Sequence, residues 1–313
     1  MLQTIRSVNH VINGGGSPDF IAGQIKSVFK IELLLLGPTW RTHIDGLAAL
    51  IRKVGGVTKI LDQDTEPLIS PYTLHFFLGN LTFANACGPI DDQVASLSDW
   101  TISEVRKIFS VSFYSRHGIP TRLFVAIEKI TRLRVLAAKN ESFERVLRPT
   151  ARAICDDIEG FAPSQWEERY HLPDTQYTLL LGELWKTTVT LYGFLSLPPT
   201  VGTYLSCCDE AHTSLFEERK GLCCKKLLQQ IDCMMQRPGY NRSICVWPLA
   251  VLGAGLVNGQ HQERARVLSH LQVIWRDPSS FSGAILAYSK LKRFWSSGGT
   301  AWDDCFDEPC VLL

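Results

Sequence analysis

Four short patterns that would announce chemistry are missing from this chain: C-x-x-C, H-E-x-x-H, G-x-S-x-G and G-x-x-x-x-G-K. The first absence removes the turn that brings two thiolates to one zinc ion. The others remove the zinc-protease helix, the nucleophile elbow and the phosphate-cradling loop. Basic excess is missing too, with 32 Lys and Arg against 31 Asp and Glu and a pI near 7.6. A protein that grips DNA neutralises phosphates with a basic stripe, so direct DNA binding by this chain is not expected. Long apolar runs are also absent. The longest, at residues 247–257, is too short for the ~20 residues a membrane span needs. Residues 1–10 lack the apolar core of a signal peptide, and the expectation is a soluble intracellular protein with no transmembrane segment.

What is present is enough for a sizeable core: 313 residues, 45% hydrophobic and 20% charged. The periodicity is helical nearly throughout. Leu47, Leu50, Ile51 and Val54 follow the i, i+3, i+4, i+7 spacing of one helix face, and Gly55-Gly56 supplies the stop. Leu123, Ile127 and Ile130 form a second stripe, with Arg122, Glu128, Lys129 and Arg132 on the other side. Ala151, Ile154, Cys155 and Ile158 repeat the pattern after Pro149, which is placed in a first helical turn.

The strongest element spans 174–197, where Tyr177, Leu181, Leu184, Thr188, Leu191 and Leu195 share a face. Asp174 is expected to cap its start, and Pro198-Pro199 to end it. Further stripes include Leu227, Leu228, Ile231 and Met234, then Val267, Leu271 and Ile274, then Ala284, Leu291 and Trp295. Strand-like alternation is confined to residues 57–61. The expected fold is all-α, a single loosely packed multi-helix array without a repeat of fixed period.

Three constellations invite a chemical reading. Cys207, Cys208, Cys223, Cys224, Cys233 and Cys245 fall within forty residues. Neighbouring thiols on a helix point in different directions, however, so the expectation is reduced core cysteines and no metal. The sequons at Asn80, Asn140 and Asn241 are read as unused. Asp303, Asp304 and Asp307 spell D-D-x-x-D. On a helix that string offers carboxylates at i and i+4 to magnesium, as in an isoprenoid-synthase-type enzyme; the competing reading is a solvated acidic tail. Cys310 opens C-V-L-L, a C-a-a-X box that would take a geranylgeranyl chain and make a peripheral membrane protein. A single lipid anchors poorly without a polybasic patch, and the preceding residues are acidic.

Two weaker signals remain. Gly253-x-Gly255 lies in an apolar helical stretch and is no dinucleotide fingerprint. Arg219-Lys220 and Lys225-Lys226 suit either nuclear import or a solvated helix face. No catalytic residue, cofactor or ligand-binding residue is assigned, and the chain is read as a non-enzyme.

Four stretches carry a family likeness. Residues 40–56 have an aromatic start, His43-x-x-Gly46 and a closing Gly-Gly; residues 117–133 open His-Gly-Ile-Pro. Residues 166–192 run WEERYHLP into LLGELWKTTVTLY, and residues 246–254 lead to Phe294-Trp295 and Trp302. In order and spacing they resemble the fungal-specific transcription factor domain found C-terminal to zinc-binuclear-cluster DNA-binding domains. The likeness covers residues 40–313, whereas residues 1–39 match poorly. The six-cysteine cluster of that family is not in this sequence. The resemblance implies a nuclear transcriptional regulator, often of metabolic genes. Its helical domain would restrain activity, sense a signal or contact other transcription factor subunits and coregulators, as a homo- or heterodimer.

Overall fold

The computed structural model describes residues 16–61, 67–94, 100–111, 118–139, 144–170, 174–198, 213–257, 260–277 and 282–312. Those residues form fourteen α-helices and one 3-10 turn, with no strand among them. In chain order the helices are α1 (Pro18–Leu35), α2 (Trp40–Lys53), α3 (Gly56–Ile60), α4 (Pro71–Ala86) and α5 (Ile102–Val111). They continue with α6 (Thr121–Lys139), α7 (Glu144–Glu159), α8 (Pro163–Tyr170), α9 (Thr175–Ser196) and α10 (Thr213–Gln236). After the 3-10 turn Arg242–Cys245 come α11 (Val246–Gly255), α12 (His261–Trp275), α13 (Gly283–Ser297) and α14 (Trp302–Cys305).

Local chemistry sets these boundaries. Ser17 caps α1 through its hydroxyl to the Phe20 amide, and Pro18 opens the first turn. The Asp174 carboxylate accepts the Tyr177 amide at 2.9 Å and so starts α9, which stops at Ser196 just before Pro198. α2 ends at Lys53, and Gly55 takes φ +102°, a left-handed conformation that costs glycine little.

Three of these expectations are corrected. Residues 57–61 lie in the short helix α3 and its cap, not in a strand. In so short a stretch, alternation cannot separate a strand from one helical turn, and Val57 and Ile60 are buried at helical spacing. Pro149 lies inside α7, which starts at Glu144, so its missing N–H removes a hydrogen bond from the second turn. Glu128, placed by its charge on the outer face of α6, is wholly buried. It accepts from Arg132 Nε at 2.8 Å and from the Thr82 hydroxyl at 3.1 Å. A buried carboxylate needs such partners, although burial still pushes its pKa up.

Helix α9 is the hub, packing on α10, α6, α11, α8, α7 and α14. Helix α11 is apolar around its whole circumference and fits between α9, α10, α12 and α13. The centre of the core is aromatic. Trp185 stacks on Trp247 at 5.7 Å, while Phe83 and Tyr192 meet Trp247 edge-on at 5.1 and 5.4 Å. The two glycines of Gly253-x-Gly255 let α11 approach its neighbours closely: a Cβ on Gly253 would lie 2.5 Å from Leu291 on α13, and one on Gly255 2.8 Å from Cys224 Sγ on α10.

Candidate functional site: the closing tail and its cavity

The segment after α13 closes the molecule. Trp302, Cys305, Phe306, Cys310, Val311 and Leu312 are all buried. Trp302 packs edge-on against Tyr192 at 5.0 Å and at a tilt against Phe306 at 4.5 Å, and its indole N–H donates to the Ala86 carbonyl at 2.8 Å. The tail is therefore joined to the end of α4 by apolar burial and by a hydrogen bond.

The three aspartates of the D-D-x-x-D string face three different partners. Asp303 accepts from Arg134 Nη2 at 2.7 Å. Arg134 is itself 1% exposed and also donates to the carbonyls of Ala86, at 3.2 Å, and Gly88. Asp304 accepts the amides of Thr300 and Ala301, both at 2.9 Å, which caps α14. Asp307 pairs with Lys290 at 3.1 Å and with Arg293. Burial raises the Asp303 pKa against the pull of Arg134, whereas the Ala301 and Thr300 amides lower that of Asp304.

Helix α14 stops at Cys305, so Asp303 and Asp307 do not share a helix face. The i, i+4 geometry assumed for magnesium is absent. The acidic side chains keep contact with solvent, Asp304 and Asp307 being exposed, while the segment that carries them is docked by its apolar residues. Among the described residues, no group of three or more His, Cys, Asp or Glu side chains is placed to hold a metal ion.

The cysteines divide by position. Cys87, Cys155, Cys224, Cys245, Cys305 and Cys310 are buried, Cys223 is half-buried and Cys233 is exposed. Cys207 and Cys208 lie outside the described residues. Cys310, the residue of the C-a-a-X reading, has its Sγ 3.8 Å from the Cys87 carbonyl oxygen and is 5% exposed. Lipid attachment would require this segment to leave its seat. Burial pushes the Cys305 thiol up to about 12 and the Cys87 thiol well above its ordinary value, so neither is a ready nucleophile. The basic pairs on α10 are partly used locally: Lys220 bonds Glu217 at 2.7 Å, and Lys226 bonds Glu183 at 2.8 Å. Of the sequons, Asn80 is buried within α4, Asn241 caps the 3-10 turn, and Asn140 lies outside the described residues.

Between the tail and the α1–α2 turn lies a cavity of about 300 Å³, lined by Glu32, Trp40, Leu286, Lys290, Cys310 and Val311 among others. No sequence pattern pointed to it, because its walls come from both ends of the described chain. The one local signal is the turn itself, where Leu36 adopts φ +53° and the Gly37 amide donates to the Glu32 carbonyl at 2.9 Å.

Comparison with known proteins adds to this geometry. Residues 36–297 match the fungal-specific transcription factor domain. The chain is 27% identical over 323 aligned positions to a phomenoic acid biosynthesis cluster-specific transcriptional regulator of Leptosphaeria maculans. That alignment covers 98% of this chain and 57% of the relative, so the chain spans little more than half of that protein's length. No solved structure matches. With an all-helical fold and a family match across most of its length, the chain belongs to the fungal-specific transcription factor domain family.

Proposed function

We propose that the chain is the regulatory domain of a transcriptional regulator that controls a metabolic gene set in the nucleus. It acts through contact with other transcription factor subunits or coregulators, or through sensing a signal, and does not itself grip DNA. The observation that carries this reading is the family match over residues 36–297. The similar protein named for a biosynthesis cluster supports a metabolic target. The balance of 32 basic and 31 acidic residues supports a role that leaves DNA contact to another part or partner. A non-enzymatic role is supported by the tail, where the candidate carboxylates are engaged in structural bonds.

Disrupting the encoding gene and profiling transcripts tests the reading. A coordinated change in a set of metabolic genes is expected, and its reversal when the gene is restored. A transcript profile indistinguishable from the parent under every nutrient condition tried would end it.

A further inference from the structure

The cavity between the α1–α2 turn and the tail contains two charged side chains that are almost wholly buried, Glu32 at 2% exposure and Lys290 at 5%. Their circumstances differ. Lys290 is neutralised within the fold by Asp307 at 3.1 Å and Glu308 at 3.3 Å. Glu32 accepts the Thr39 amide at 3.3 Å, and among the described residues no cation pairs with it. His43 lies close enough to feel its charge, but burial lowers the His43 pKa and so disfavours the charged imidazole. A buried carboxylate without a counter-charge is costly, and the cavity wall is where a cation can reach it.

The turn is shaped around that carboxylate. A Cβ on Gly37 would fall 1.9 Å from Glu32 Oε2, so any larger residue there would make the carboxylate shift. The remaining walls include apolar Leu33, Trp40, Leu286 and Val311. A volume of about 300 Å³ is at the small end of ligand sites. The lining charges are Glu32, Glu308 and Lys290, a net negative set that disfavours an anion.

We propose that this cavity binds a compact organic cation, a primary amine with an apolar body. Its ammonium group pairs with Glu32, and its body packs on Leu286 and the Trp40 indole, whose face attracts cations. The walls come from α1, α2, α13 and the tail, so a bound amine ties the two ends of the described chain together. The inference goes beyond the regulatory reading, because binding needs neither DNA nor a protein partner.

Isothermal titration of the full chain at pH 7 with 2-phenylethylamine and tryptamine tests it, with 3-phenylpropionate as an anion of matching size. Saturable one-to-one binding of the amines and none of the acid is expected. Glu32→Gln should weaken the amines roughly tenfold or more, as loss of a desolvated charge pair does. Leu286→Trp, which fills the cavity and leaves the α1–α2 turn untouched, should abolish binding. Circular dichroism establishes that each variant is folded; if Glu32→Gln is not, Leu286→Trp decides alone. Absence of saturable amine binding, equal binding of the acid, or unchanged affinity in either folded variant overturns the proposal and leaves Glu32 as a cap of the turn only.

Discussion

Replacing Arg134 with methionine removes the guanidinium and keeps most of the apolar stem, so it isolates the polar seat of the tail. Three acceptors lose their donor: the carbonyls of Ala86 and Gly88 and the Asp303 carboxylate. They do not lose equally. The Ala86 carbonyl keeps the Trp302 indole N–H at 2.8 Å. The Asp303 side chain is 36% exposed and can turn to water. The Gly88 carbonyl loses its bond to Arg134, and a buried polar group left without a partner costs ~1–3 kcal/mol. Adding ~1 kcal/mol for the half-exposed ion pair gives a loss of roughly 2–4 kcal/mol, an upper range from which the relief of no longer burying a charge subtracts. Lysine at the same position should recover less than half, because one ammonium cannot serve three acceptors in the guanidinium's fork geometry. Urea denaturation followed at 222 nm measures the loss. Hydrogen exchange should show peptides from residues 300–312 opening faster. A loss under ~1 kcal/mol with unchanged exchange in the tail would mean that Arg134 does not hold the tail in place.

His75 gives a pH prediction. Its ring packs on Phe109 at 4.1 Å, and burial lowers its pKa from 6.5 to about 4. Folding therefore disfavours the protonated ring, so the stability is fully present above pH 6.5 and is lost as pH falls toward 4. Linkage puts this loss at ~3 kcal/mol, and His75→Phe should reduce the fall in unfolding free energy between pH 7 and pH 4 by that much; equal slopes for both proteins would contradict the assignment. Thiol labelling of the native chain with iodoacetamide, read peptide by peptide, should modify Cys233 rapidly. Cys245 and Cys310 should react only on unfolding, and fast labelling of Cys310 would mean that the tail leaves its seat.

Much of this fold was legible because amphipathic helices write their packing into their spacing. Asp174, the stripe after it and Pro198 marked α9 to within a residue or two, and Leu227, Leu228, Ile231 and Met234 are the buried face of α10. Helix α4 left no such trace. Every residue from Thr73 to Ala86 is buried, so its apolar residues occur on all sides and the stripe vanishes. Helix α1 was blurred differently, because Leu34 and Leu35 are exposed and break the contrast between faces. The tail was legible only in part: Asp304 and Asp307 are as wet as their charge suggests, whereas Trp302 and Phe306 beside them carry the segment into the core. The cavity was beyond sequence reading altogether, since Glu32 and Cys310 meet only through the tertiary fold.

On the proposed function, this helical domain influences transcription without contacting DNA itself. Fusing the full chain to a heterologous DNA-binding domain upstream of a reporter, in a fungal host, tests it directly. Reporter output should depart from that of the DNA-binding domain alone, and a truncation removing the tail from residue 302 onward should change that departure. Output equal to the DNA-binding domain alone, with the fusion protein intact in the nucleus, would contradict the account.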